Sequence, residues 1–390
     1  MRLKSISYAD HPGESREWRI HDFVLGDANL VVGLNASGKS RTLAAIGNLA
    51  WLISAKIKLG FRTADSDCTA EFEDAGRALS YTMQCRQGKV TKEVFIEDGR
   101  ERMTRGEGGA GRIDSVKDNK TVEFQTPETE LAIVARRDSI QHGFFDPLHL
   151  WAASVYRYEF GSQLGKHLIT VEVPNSKYQL DPRNQDEVMN IFTAGEALFE
   201  DKFKESIKRD MAKLDYPLDK IGAVAPTAFP ISHLPGPAKY LYVKEHDLDC
   251  ITEQWEMSQG MFRALSIIIQ LTYSQMTAKP ACVIIDDIGE GLDFGRSCAL
   301  IDLLMEKAKV AGVQLLMSTN DRFVMNKVPL EVWTVLRRSK GRAIVNNYVN
   351  SKKLFDAFEY TGLNNFDFLA TDFVGEDLEK ADGIAGASHQ

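Results

Sequence analysis

Alternation of apolar and polar positions at residues 3–8 and 17–25 predicts two strands, joined by a turn through Pro12 and Gly13. Leu30, Val31 and Val32 form a short continuous apolar run, the pattern of a buried strand. From residue 40 to 56, Leu, Ala and Ile recur at helical spacing and predict a helix. Residues 69–73, 79–85, 90–97 and 100–103 are short strand patterns separated by turns, and together they predict an antiparallel meander. Residues 104–119 are Gly-rich and charged and read as a flexible surface loop. Residues 127–160 read as mainly helical, and so do residues 185–222, with Val188, Ile191, Phe192, Leu198 and Phe203 at the apolar positions. Pro182, Pro217, Pro226, Pro230, Pro235 and Pro237 punctuate this middle section. Further on come a strand at 240–243, a strong helix pattern at 261–275, apolar strands at 281–285 and 313–317, and a closing strand pair at 332–336 and 344–349. The tail after Gly375 is acidic, then small and polar, and reads as disordered.

Composition adds only bounds. With 390 residues, 44% hydrophobic and 26% charged, the chain can bury a sizeable core in one large α/β domain with insertions or in two domains. A net charge of −8 argues against a protein that coats nucleic acid through bulk charge. The five cysteines are scattered without metal-ligand spacing, as expected of reduced thiols. No run approaches 18 apolar residues and no apolar signal core opens the chain, so a cytoplasmic protein without a membrane partner is expected.

The chemistry starts at Gly33-Leu34-Asn35-Ala36-Ser37-Gly38-Lys39-Ser40, which matches G-x-x-x-x-G-K-[ST] at every fixed position, between a strand and a helix. Glycines let backbone N–H groups converge on phosphate oxygens at a helix start that already favours anions. Lys39 is expected on the β- and γ-phosphates of ATP and the Ser40 hydroxyl on Mg²⁺. Gly33, Asn35, Gly38 and Arg41 complete the expected nucleotide contacts. The apolar run 281–285 ends in two acids. Asp286 would hold Mg²⁺, and Asp287 stands where a general base would polarise the attacking water. No second catalytic constellation, in particular no nuclease motif, stands out.

A third element is Met257-Ser258-Gln259-Gly260-Met261-Phe262-Arg263, which precedes a long apolar helix; Ser258 lies 28 residues before Asp286. It resembles a divergent signature motif of ABC-type ATPases, with Ser258 and Gly260 at the matching positions. Gly289-Glu290-Gly291-Leu292-Asp293 stands where that family places its D-loop. Asn320, in Ser318-Thr319-Asn320-Asp321, stands where relatives usually present a His that senses the γ-phosphate. Many relatives carry Glu at the Asp287 position; the shorter Asp, and an Asn that cannot carry charge, imply slow hydrolysis. For the glutamine that completes the Mg²⁺ site in this family, Gln141 and Gln125 compete, Gln141 being preferred.

The motif order resembles the SMC/RecF/OLD-like branch of ABC ATPases, and more closely the stand-alone ATPases of bacterial anti-phage operons of the PARIS or Septu type. The resemblance rests on the string 285–293 and on Ser-Gln-Gly-Met-Phe-Arg, and it covers roughly 1–160 and 240–350. Lys39 and Asp286 lie 247 residues apart, far more than in transporter nucleotide domains. The implied fold is an α/β P-loop NTPase of ABC type with an antiparallel β subdomain and a helical insertion. Its halves would be residues 1–160 and 240–375, separated by the insertion 161–239 and followed by a disordered tail 376–390. The implied activity is ATP hydrolysis with ATP and Mg²⁺, driving a sensor or scaffold. Its implied partners are further copies of itself, at least as a dimer, a separately encoded effector such as a nuclease or toxin, and DNA or a phage protein as trigger. The alternative is a RecF- or SMC-like ATPase acting directly on DNA.

Overall fold

The computed structural model describes residues 1–60, 64–171, 179–225, 236–277, 280–371 and 373. The expected disordered tail 376–390, with Pro226, Pro230 and Pro235, lies outside them. The chain divides into two compact units: Met1–Val155 with Gln314–Asn320 and Val328–Gln390, and Tyr156–Val313 with Asp321–Lys327.

The first unit begins with β1 (Arg2–Asp10), β2 (Trp18–Val24), β3 (Ala28–Val32) and α1 (Lys39–Ile53). A meander follows: β4 (Ser66–Asp74), β5 (Arg77–Arg86), β6 (Lys89–Glu97), β7 (Arg100–Arg105), β8 (Ala110–Ser115) and β9 (Lys120–Gln125), then α2 (Ala132–Ala135) and α3 (Asp146–Ala153). The second unit holds β10 (Val155–Glu159), β11 (Thr170–Val171), α4 (Val188–Phe199), α5 (Asp201–Lys213), β12 (Leu218–Val224), β13 (Ala238–Glu245), β14 (Thr252–Glu253), α6 (Gln259–Thr277), β15 (Cys282–Asp286) and α7 (Phe294–Ala311). The chain returns to the first unit with β16 (Gln314–Ser318), gives α8 (Arg322–Lys327) to the second, and closes the first with β17 (Trp333–Ser339), β18 (Arg342–Asn347), α9 (Lys352–Glu359) and α10 (Asn365–Ala370).

In the first unit the strands follow the order β16-β3-β17-β18-β2-β1-β4-β5-β6-β7-β8-β9. β16 and β17 flank β3 in parallel, with Met317 and Trp333 both opposite Leu30. Their central residues, Leu30 to Val32, Leu315 to Met317 and Trp333 to Leu336, are buried on both faces and mainly apolar. From β4 to β9 each strand pairs antiparallel with the next, and in β4 and β5 buried positions alternate with less buried ones. The meander therefore runs past its expected end: residues 104–119, expected as a flexible loop, form the end of β7, a 3₁₀ turn, β8 and the start of the turn into β9. The segment 127–160, expected as mainly helical, holds only the short α2 and α3, a 3₁₀ turn and the strand β10.

A buried ion pair fastens this meander. Glu93 and Arg105 face each other across β6 and β7 with no exposed side-chain surface, Nε to carboxylate at 2.8 Å. The same carboxylate accepts from the Tyr81 hydroxyl (3.0 Å) and from the N–H groups of Ala132 (2.8 Å) and Ile133 (3.0 Å) at the start of α2. Arg105 in turn donates to the carbonyls of Thr126, Pro127 and Glu130. Full partnering is what makes a buried charge tolerable.

The second unit is built around α6, which is buried from Gly260 to Ser274 and carries apolar residues all round. α4 and α5 pack on it, with Phe192 and Phe203 5.9 Å apart and Phe203 edge-on to Tyr273. Residues 218–222, expected as helix, belong to β12, which pairs antiparallel with β13. The insertion 161–239 thus combines two helices with strands. Leu198, expected on the apolar face, is 62% exposed.

Candidate functional site

The phosphate loop grows out of the C-terminal end of β3, the edge of a parallel sheet where ligands bind in α/β folds. Its strand–loop–helix context is the one its sequence asks for. Gly38 is the N-cap of α1 with φ 108, a conformation that costs residues with a side chain, and a Cβ there would meet the Trp18 ring at 2.9 Å. No side chain caps α1 and no acid occupies its first turn, so its leading N–H groups keep their anion-binding potential. Lys39 is buried, and its ammonium donates to the carbonyl oxygens of Gly33 (2.7 Å) and Leu34 (3.3 Å), curling along the loop. Asn35, Ser40 and Arg41 are exposed. The Arg41 guanidinium lies 5.3 Å over the Trp18 ring.

Asn320 emerges at the same edge. Ser318 pairs with Val31 in the parallel register of β16 and β3, and the Thr319 N–H donates to the Val31 carbonyl, which leaves Asn320 exposed beside the strand that leads to Gly33. The first unit thus brings the phosphate loop and Asn320 together. Gln141 and Gln125 also belong to this unit, and both are exposed. Gln141 sits in a turn, its N–H bonded to Asp138 and its carbonyl to the Val116 N–H, while the Gln125 amide donates to the Gly108 carbonyl.

The second unit carries the carboxylates and the signature residues. β15 is buried along its length and ends at the buried Asp286. The Phe160 N–H, just beyond β10, donates to the Asp286 carbonyl at 2.9 Å, so β10 and β15 end side by side. Asp287 turns the chain with φ 56, a left-handed conformation that Asp tolerates better than Glu because its short side chain bonds locally. Ser258 caps α6: its Oγ accepts from the Met261 N–H at 3.2 Å. Gly260 lies so close to the D-loop that a Cβ would collide with the Gly291 carbonyl and meet Leu292 Cδ2 at 3.0 Å. At the far end of the D-loop, Asp293 caps α7 by accepting from the Arg296 N–H at 3.1 Å. That bond, followed by the Arg296 guanidinium, holds the Asp293 carboxyl below its ordinary range.

Several residues that no motif announces bind this region together. Residues 161–168, which leave the sheet beside Asp286, are held by side chains around the start of α6. Arg263 donates to Gly161 and Ser162, Gln254 to Lys166 (2.7 Å) and Leu168 (2.9 Å), Ser266 to Leu164 and Gln259 to Gln163. Lys166 returns the contact, its ammonium donating to the Met257 carbonyl at 2.5 Å, and burial lowers its pKa. Among the described residues there is no cluster of three or more His, Cys, Asp or Glu side chains placed to hold a metal. No described helix is long and apolar enough to cross a membrane.

No protein-family model matches the chain, and no curated protein matches it. Solved structures do. An SMC head bound to the C-winged helix domain of ScpA shares 13% identity, over 90% of this chain and 100% of that one, with a TM-score of 0.50. The SMC head domain from Thermotoga maritima shares 15%, over 89% and 99%, with a TM-score of 0.45. An Smc head domain with an extended coiled coil, bound to the C-terminal domain of ScpA derived from Pyrococcus furiosus, shares 11%, over 92% and 99%, with a TM-score of 0.43. The fold is that of an SMC head, the mixed α/β fold of ABC-type ATPases.

Proposed function

We propose that this chain is an ATP-binding and ATP-hydrolysing ABC-type ATPase whose nucleotide state controls a separately encoded effector in bacterial anti-phage defence. The observation that carries the ATPase reading is the complete G-x-x-x-x-G-K-S loop, set at the C-terminal end of a parallel strand and running into an uncapped helix. Lys39 and the α1 N–H groups would bind the β- and γ-phosphates. Ser40 and Asp286 are the hard oxygen donors that the motifs assign to Mg²⁺. Mg²⁺ at such sites binds through one or two protein oxygens plus the substrate phosphates. The bound ion would neutralise charge on the transferred phosphoryl group. Asp287 would orient and deprotonate water, and Asn320 would donate to the γ-phosphate. For the glutamine beside the metal carboxylate we add Gln163 to Gln141, because it lies on the loop that leaves β10 next to Asp286.

Ser258 and Gly260 would face the phosphate bound by a second copy, so two chains would pair with two-fold symmetry. The effector reading rests on the lack of a second catalytic constellation in the sequence: a switch matters only if its states differ in affinity for something else. The SMC head of the comparison was solved with a protein bound to it, and a partner on the insertion 161–239 here would be of the same general kind. A second reading, an SMC-like ATPase, fits the SMC-head fold.

The test is to purify the full chain with and without the products of neighbouring genes and to assay ATP turnover, complex formation, and DNA or RNA cleavage. ATP turnover by the chain, with a complex that Lys39→Ala alters, is the expected result. Metal-dependent nucleic-acid cleavage by the isolated chain, lost on mutating residues outside the phosphate loop, would overturn the effector reading.

A further inference from the structure

Arg263 is 6% exposed; its three guanidinium nitrogens donate to backbone carbonyls of two loops, and the Glu290 carboxylate lies 3.8 Å from Nη1. Nε donates to Ser162 at 3.0 Å and Nη2 to Gly161, both on the loop that leaves β10. Nη1 donates to Glu290 at 2.9 Å, in the middle of the D-loop. The two loops also touch each other, since a Cβ on Gly161 would run into the Glu290 carboxylate. Arg263 itself stands in the first turns of α6, one helical turn beyond Gly260 and five residues beyond Ser258. A single planar group thus joins three pieces of chain: the loop beside Asp286, the D-loop and the start of the signature helix.

The chemistry of the joint is specific. Three donors in a fixed fork match three carbonyls at fixed directions, which a lysine ammonium on a flexible stem does not reproduce. The three hydrogen bonds are to backbone, so they fix the path of the loops, and the Glu290 carboxylate adds an ion pair at 3.8 Å. The neighbouring contacts of Gln254, Ser266 and Lys166 anchor residues 164–168 and Met257, but none of them reaches the D-loop.

We infer that Arg263 is a positioning residue that makes the loop 161–163, the D-loop and the signature helix move as one body. A displacement at the Asp286 edge is then passed through the guanidinium to Ser258 and Gly260, the residues assigned above to another copy's nucleotide. This inference rests on the ATPase reading for its consequence, but not for the mechanical coupling itself.

The two levels are tested separately, in the full chain, with Arg263→Gln and the milder Arg263→Lys. Hydrogen exchange without nucleotide reads the coupling. Amides in 161–163 and 289–293 should exchange faster together, by about tenfold or more in Arg263→Gln and less in Arg263→Lys, with α1 unchanged. Gln254→Ala, the control, should affect 164–168 and leave 289–293 as in wild type. Unchanged exchange in the D-loop of a folded Arg263 variant would overturn the inference. So would equal D-loop loosening by Gln254→Ala, which would mark a merely structural role. Where wild type turns over ATP, both Arg263 variants should keep the Kd for ATP within about twofold and lose about tenfold or more in kcat. A kcat that stays at the wild-type value despite faster exchange would also overturn the positioning role. Wild type that binds no ATP would sink the ATPase reading alone, and the exchange experiment would still decide the coupling.

Discussion

Gly260 and Gly291 approach so closely that the signature helix and the D-loop leave no room for a methyl group between them. Gly260→Ala must push the added methyl group against a backbone carbonyl, which cannot swing aside as a side-chain tip does. Overpacking of this kind costs about 1–3 kcal/mol, here concentrated where the two segments meet. The variant should keep its affinity for ATP, set by the phosphate loop, and lose most of its turnover. Calorimetry together with a steady-state ATPase assay checks this; wild-type turnover would show that the contact is not part of the working site.

Lys39→Ala removes the ammonium that lies along the phosphate loop. Hydrogen bonds to charged groups are worth roughly 1.5–3 kcal/mol each, so ATP affinity should fall by about 10- to 100-fold or more. Isothermal calorimetry with ATP and Mg²⁺ reads it directly, and an unchanged Kd would rule out the assigned role.

Asp287→Asn should hold ATP and slow its hydrolysis by about 10²–10⁴-fold, the usual worth of a positioned general base. Asn suits the test because it accepts the left-handed backbone at this position, with φ 56, as readily as Asp. Single-turnover kinetics at saturating ATP separate this outcome from a binding defect. The same variant, loaded with ATP, should run as a dimer or larger in light scattering.

Glu93→Ala leaves the buried Arg105 guanidinium without its carboxylate, and three other donors lose their acceptor. Removing one member of a buried pair costs about 3–5 kcal/mol. The loss should appear as a lower denaturant midpoint for the first unit, and a change under about 1 kcal/mol would contradict the buried-pair account.

Burial pushes the Cys282 thiol up from its ordinary 9.0 to about 12, and the Cys68 thiol likewise. Both are therefore neutral in the folded chain up to high pH. Because the folded value is the higher one, the resulting stability is present below pH 9.0 and is lost as pH rises from there towards 12. Unfolding midpoints should drop across that window. At a pH of about 8, a thiol reagent should label exposed Cys250 first, half-buried Cys298 slowly, and Cys68, Cys85 and Cys282 only after unfolding.

The phosphate loop was legible because its chemistry is local: eight consecutive residues specify strand end, turn and helix start. β15, the strand at 313–317 and the α6 pattern were legible for a related reason, as continuous apolar runs too buried to read otherwise. The strands β8 and β10 were not. Each is only five or six residues long; β8 lies in a glycine-rich stretch and β10 follows a helical one, so composition outweighed the alternation of exposed Arg112 with buried Ile113. Arg263, Gln254 and Lys166 were illegible for a different reason. Their partners are backbone carbonyls 27 to 102 residues away, and such contacts leave no mark on local sequence. The interleaving of the two units, in which α8 is separated from β16 by a few residues yet belongs elsewhere, is likewise a property of contacts and not of pattern.

The Trp18 indole lies against Gly38 and beneath the Arg41 guanidinium, so the phosphate loop has an aromatic chromophore built into its floor. Indole emission responds to nearby charge and to the rigidity of its cage. A polyanion settling on the loop would draw on the Arg41 charge and alter both at once. The chain would then carry its own optical gauge of occupancy, readable without a dye, and Trp18→Phe would extinguish that signal while leaving the emission of Trp51, Trp151, Trp255 and Trp333 in place.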